Sequence, residues 1–216
     1  MNTPKINQLV LYRDILNDPA IESAHQIWLY QDDNQYSQIE DQYYCLQSLL
    51  LNQKTCMSWK EYVGELIASS ENMFSLLSEK GLEKQPILKI AEQDIHIISE
   101  IYHYDWSKIE KKLSVESSVF CLNNISDQDV CSILERKTGI EAVYSLKQYY
   151  KLKGCGMFRK YAAFKWNDST GLTGIDCYDS ISFDDLTGYE PQKKTLCENT
   201  EFFIKGLKAN NVLLYG

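Results

Sequence analysis

The chain has 216 residues, 44% of them hydrophobic and 24% charged, with a formal net charge of −8 at pH 7. That length and composition suffice for a buried core in one or two domains, and the acidity argues against general binding to nucleic acid or anionic membranes, which select basic faces. No stretch approaches 18 consecutive apolar residues and the start, Met1-Asn2-Thr3-Pro4-Lys5, lacks the basic-then-apolar plan of a signal peptide, so a cytoplasmic chain without membrane contact is expected.

In chain order, Ile6, Leu9, Val10 and Leu16, then Ile21, Ile27, Trp28 and Leu29, predict two short helices divided near Asp18-Pro19. From about Tyr36 to Leu51 a wide apolar stripe through Ile39, Tyr43, Leu46 and Leu50 predicts a buried helix. Ser58-Trp59-Lys60-Glu61 has the spacing of a capping box and opens a helix that runs to Gly81, with a break expected near Ser69-Ser70. Pro86 starts the next, whose Ile87, Ile90, Ile95, Ile98 and Ile101 keep to one side. A short amphipathic piece with Ile109 and Leu113 follows, and Ser114–Leu122 suits either a strand or a helical turn. Ser126 is read as the cap of a helix through Val130, Ile133 and Leu134; Gly139 separates it from a last helix, Ile140 to about Leu152.

After Gly154-Cys155-Gly156 the period changes to two. Phe158, Lys160, Ala162, Phe164 and Trp166 alternate with their neighbours, Asn167–Gly171 supplies a turn and Leu172–Cys177 a return strand, which predicts a β-hairpin joining two regions. Pro191 to Ile204 then reads as a helix with Leu196, Thr200, Phe203 and Leu207 at helical spacing and Gly206 as its stop. Asn211-Val212-Leu213-Leu214-Tyr215-Gly216 has the composition of a buried parallel strand running into glycine. With its neighbours withheld, such a strand is expected to be a poorly contacted end.

Chemistry-bearing residues are sparse. Seven cysteines are widely spread with no C-x-x-C pair, and three histidines accompany them, so no metal site and no Cys-His nucleophile is predicted; buried inert thiols are the expected outcome. His96 and His103 share a helix face with Asp94, Glu100 and Asp105 nearby, a grouping common on polar helix surfaces. Lys147, Lys151, Lys153, Arg159 and Lys160, interleaved with tyrosines and Phe158, could meet a phosphate backbone or an acidic partner; the plainer reading is a solvated helix face. No catalytic residue is nominated.

Two features carry a resemblance. Phe183-Asp184-Asp185-Leu186-Thr187-Gly188-Tyr189-Glu190, then a helix, then a strand ending in Gly, resembles the entry of an AAA+ ATPase module, where a segment like "FDDLxGxE" precedes a helix, a strand and a phosphate-binding loop. With Asn199–Phe203, Gly206 and Ala209–Gly216, the pattern is similar to the bacterial ATP-binding proteins of the domain of unknown function 815 family. It is firmest from about residue 182 and weaker from about 148. The resemblance implies that Leu186, Gly188 and Tyr189 line an adenine pocket and that Gly216 opens a phosphate loop. It implies ATP and Mg²⁺ as cofactors of an intact parent, with none expected on this fragment, which stops short of the loop's Lys and Ser/Thr. A homo-oligomeric parent is compatible with it.

The fold class expected is therefore mainly α: a helical N-terminal array (1–153), a hairpin connector (154–181) and the truncated opening of an α/β P-loop module (182–216). Two functions stay open. One is a partner-binding or regulatory N-terminal region of an AAA+-like ATPase that hydrolyses ATP only when intact; the other is a self-contained, non-catalytic helical protein-interaction module.

Overall fold

A computed structural model describes residues 3–32, 36–52, 56–115, 118, 120, 130–179 and 181–214. Among the described residues the fold is mainly helical with one two-stranded antiparallel hairpin, and the chain divides into two compact units, residues 1–174 and 175–216. Ser126, Cys121, Asp33, Tyr215 and Gly216 lie outside the described residues, as do 116, 117, 119 and 122 of the ambiguous stretch.

In the first unit, α1 (Pro19–Asp32), α2 (Tyr36–Leu51), α3 (Trp59–Ser69), α4 (Met73–Glu79), α5 (Gln85–Tyr102), α6 (Ser107–Leu113), α7 (Val130–Arg136) and α8 (Gly139–Lys153) enclose the core. Helix α1 lies on α2, α5 on α3 and α8, α4 on α8, and α7 on α3 and α8. The capping box closes as the spacing predicts: Glu61 N donates to Ser58 Oγ (3.3 Å) and Ser58 N to Glu61 Oε2 (2.8 Å). The break after Ser69 has its own cap, because Asn72 Oδ1 accepts from the amides of Phe74 (2.9 Å) and Ser75 (3.1 Å) and starts α4. Along α5, Leu88, Ala91, Ile95, Ile98 and Tyr102 recur at intervals of three and four and are buried. Burial of each large side chain among them contributes about 1.5–3 kcal/mol. Trp28, Trp59, Trp106 and Phe120 form an aromatic cluster, with Trp106 and Phe120 stacked 4.6 Å apart and Trp59 Nε1 donating to the Ile101 carbonyl at 2.8 Å.

The first predicted helix is instead two 3₁₀ turns, Ile6–Gln8 and Arg13–Asn17. The wholly buried Asp94 carboxylate on α5 explains the change. It accepts backbone N–H groups from Val10 (3.1 Å), Leu11 (2.7 Å) and Tyr12 (3.0 Å), amides that a continuous helix would have consumed.

The hairpin is shorter than its alternation suggests. Gly156–Lys160 forms a helical turn, α9, in which Arg159 reaches Glu65, Ser69 Oγ and Tyr149 OH. Pairing is confined to β1 (Phe164–Asn167) and β2 (Gly171–Gly174), with Asn167 opposite Gly171 and Trp166 opposite Leu172. Asn167 Oδ1 accepts from Ser169 N at 3.0 Å inside the turn, and Gly171 takes φ +73°, the left-handed position that a three-residue hairpin loop requires. The hairpin belongs to the first unit.

Candidate functional site

The second unit holds Leu186, Gly188 and Tyr189 in one short loop. Ser182 N and Ser182 Oγ both donate to Asp185 Oδ2 (2.7 and 2.8 Å), which closes the 3₁₀ turn Phe183–Asp185 and holds the Asp185 carboxyl below its ordinary range. The chain then passes Leu186, Gly188 at φ +85° and Tyr189 at φ +62° into α10 (Glu190–Ile204). A Cβ at Gly188 would meet nothing within 4 Å, so the backbone angle, rather than space, calls for glycine there. Tyr189 has no such excuse. A non-glycine residue in the left-handed region carries about 1 kcal/mol of strain, and Tyr189 is 73% exposed. Lys193, one turn into α10, donates to the Leu186 carbonyl and reaches Glu190 Oε1 at 3.1 Å, tying the loop to the helix.

Helix α10 has no fully buried residue, and its half-buried positions are Lys193, Leu196 and Asn199, one stripe at i, i+3 and i+6. The predicted helix Pro191–Ile204 is present as α10, with Gly206 just past its end at φ +67°; of the residues that gave its spacing only Leu196 is half-buried, and Thr200, Phe203 and Leu207 are exposed. At the far end of the true stripe, Asn199 grips the returning chain. Its Oδ1 accepts from Asn210 N (2.8 Å) and its Nδ2 donates to Asn210 O (2.9 Å). Beyond that clasp, alternate residues Asn210, Val212 and Leu214 line a groove with Pro191, Gln192, Thr195, Leu196 and Asn199. The chain thus runs back along α10 from Asn199 toward Pro191, the end at which Gly188 and Tyr189 sit.

Period two is the mark of extended backbone, and Asn211–Leu214 joins no ladder among the described residues and stays exposed, in line with the poorly contacted end expected of a strand without its neighbours. A strand is defined by its neighbour, and none pairs with it among the described residues. Leu213, on the side away from the groove, is 83% exposed. The structure therefore brings Leu186, Gly188 and Tyr189 together at one end of α10, while Gly216 falls outside the described residues.

Residues 159–216 match the model of a family described as Protein of unknown function (DUF815). No curated protein and no solved structure matches the chain. The matched region takes in the hairpin, the Leu186–Tyr189 loop, α10 and the Asn199 clasp.

The other residues weighed from sequence are placed differently. Two members of the basic stretch are paired with acids: Lys147 with Glu83 and Arg159 with Glu65; Lys160 lies over the Tyr161 ring. His96 faces Glu100 (3.8 Å) and His103 faces Glu135 (3.7 Å) on the surface, whereas Asp94 is turned into the core. Only Cys131 and Cys155 among the described cysteines are buried; Cys45, Cys56, Cys177 and Cys197 are exposed, which corrects the expectation of inert core thiols. Burial pushes the Cys155 thiol up, away from reactivity. Among the described residues no group of His, Cys, Asp and Glu is arranged to hold a metal, and no helix is long and apolar enough to cross a membrane. Asn199 and Lys193 were missed as site residues. An amide eleven residues before its backbone partner is at least a spacing that a helix–turn–strand reading could have tested.

Proposed function

We propose that residues 182–214 form the base-binding entrance of a nucleotide module in a bacterial AAA+-type ATPase, and that the helical first unit is its partner-binding or regulatory region. The observation that carries this is the path of the chain: a period-two run laid back along α10 toward the end that bears the Leu186–Tyr189 loop. Such a path points the run Asn210–Leu214 toward a helix end flanked by the exposed Tyr189 and Leu186.

The residues present fit the base of ATP. Leu186 and Tyr189 offer apolar and aromatic faces of the kind purines stack on, and Gly188 keeps the backbone between them unencumbered. They do not supply a phosphate or Mg²⁺ site, since the sequence contains no G-x-x-x-x-G-K-[ST]. ATP bound to the intact parent would supply a phosphoanhydride for transfer to water; this chain's part is to hold and orient the base. Isothermal titration of Mg-ATP into the intact parent tests the reading. Micromolar binding that weakens about tenfold in Tyr189→Ala supports it, a size set by one lost stacking contact, and no binding overturns it.

A second reading has its own observation. Helix α8 buries Ala142, Val143, Leu146 and Tyr150 yet also exposes Ile140, Tyr144 and Leu152, of which Tyr144 and Leu152 line a groove shared with Ile133 of α7. A doubly apolar surface helix suits a protein-interaction module, independent of nucleotide. Substitution of Tyr144 and Leu152 by Ser, with pull-down of the partner and of nucleotide measured separately, divides the two.

A further inference from the structure

We infer that Asn199 is a positioning residue of this entrance: its side-chain amide acts as a two-pronged clasp on the backbone N–H and C=O of Asn210 and fixes the register at which residues 211–214 leave for the nucleotide, a consequence that rests on the nucleotide reading above.

The geometry is specific to an amide. Asn210 presents one donor and one acceptor, and the Asn199 side chain presents the complementary acceptor and donor, at 2.8 and 2.9 Å. A neighbouring strand would satisfy a residue's backbone N–H and C=O in the same way, so the helix side chain stands in for a ladder where no ladder exists. Register matters because the side-chain period is two: a slip of one residue would turn Val212 and Leu214 out of the groove and bring Asn211 and Leu213 in. All three of Val212, Leu213 and Leu214 are exposed, and it is the lining of the groove by Asn210, Val212 and Leu214 that gives the register. Lys193 secures the opposite end of the same helix stripe through the Leu186 carbonyl. One half-buried face of α10 therefore holds the loop before the helix and the run after it, and the two reach the same end.

The test combines residue-resolved hydrogen exchange and Mg-ATP titration on the intact parent. In Asn199→Ala the Asn210 amide is expected to lose its protection about tenfold and Mg-ATP affinity to fall roughly tenfold, the scale of two modest hydrogen bonds. Asn199→Asp keeps the acceptor and sets a carboxylate against the Asn210 carbonyl. Whatever protection that repulsion removes should recover as pH falls from about 6 to about 3, through the titration of an ordinary aspartate at about 3.9, because the protonated acid again offers both a donor and an acceptor. Loss of a structural residue would not recover with pH. Equal Asn210 exchange in wild type and Asn199→Ala overturns the clasp whatever the nucleotide result. Lost protection with unchanged Mg-ATP affinity overturns the positioning role, and wild-type protein that binds no Mg-ATP overturns it together with the nucleotide reading.

Discussion

Asp94 and the Tyr12–Tyr150 pair show how single buried polar groups fix the first unit. Removing the Asp94 carboxylate leaves three backbone donors without a partner in a dry site, at about 1 kcal/mol or more each. Asp94→Ala should therefore lower stability by roughly 3 kcal/mol, a loss of about 6–12 °C in thermal midpoint for a chain of this size. Asp94→Asn should fall between wild type and Asp94→Ala, because an oxygen in the place of Oδ2 can still accept from Val10, Leu11 and Tyr12 while the NH₂ in the place of Oδ1 meets the Val10 N–H donor to donor. Equal midpoints for Asp94→Ala and wild type would refute the role. Nearby, Tyr150 OH donates to the Ile67 carbonyl, an acceptor only, so Tyr12 OH must donate to Tyr150 across 3.0 Å. Burial raises both phenols well above the ordinary tyrosine range. A raised folded-state value means that the contribution is intact below the unfolded value of about 10 and is lost as pH climbs above it. Thermal midpoints should hold to about pH 9.5 and then drop, with a shallower drop in Tyr12→Phe. An identical alkaline slope in that variant would remove the pair from the account.

At the scale of elements, α3 and α7 meet at a point where only glycine fits. A Cβ on Gly64 would lie 2.3 Å from Cys131 Sγ but 3.7 Å from Cys131 Cβ. Gly64→Ala should thus cost about 1–3 kcal/mol through overpacking despite its better helix propensity. The double variant with Cys131→Ala should recover most of that loss, and a double variant no more stable than Gly64→Ala would place the strain elsewhere. Elements whose signals are local were legible in advance: the Ser58–Glu61 box, the break after Ser69 and the apolar side of α5 depend on residues within a few positions of one another. Elements set by distant partners were not. The 3₁₀ turns before Pro19 answer to Asp94, more than eighty residues away, and α9 interrupts a good period-two pattern because Arg159 is drawn to Glu65. The candidate site was legible as an order of motifs, with Leu186, Gly188 and Tyr189 placed together; its fastenings, Lys193 and Asn199, were hidden in side chains that a helical reading treats as solvent-facing.

Across the whole molecule, the two units differ in what stabilises them, and that difference has a measurable consequence. The first unit buries tryptophans, tyrosines and aliphatic side chains from helix after helix, so opening α5 or α8 exposes a large share of its core. Helix α10 has no buried residue and is fastened chiefly by side-chain hydrogen bonds at exposed positions, while a helix of its 15 residues is marginal alone. Amide exchange should follow suit, with α5 and α8 approaching the global limit and α10 exchanging at least about a thousandfold faster, the ratio expected when local opening costs several kcal/mol less than global unfolding. Hydrogen exchange with peptide resolution measures this directly. If the nucleotide reading is correct, saturating Mg-ATP in the intact parent should slow exchange at residues 182–214 by mass action, because a ligand that binds only the ordered form stabilises it in proportion to its saturation. Protection of α10 equal to that of α5 in the absence of nucleotide would mean that the second unit already has its stabilising partner, and would move the search for function from a nucleotide to whatever covers Phe203, Ile204 and Leu213.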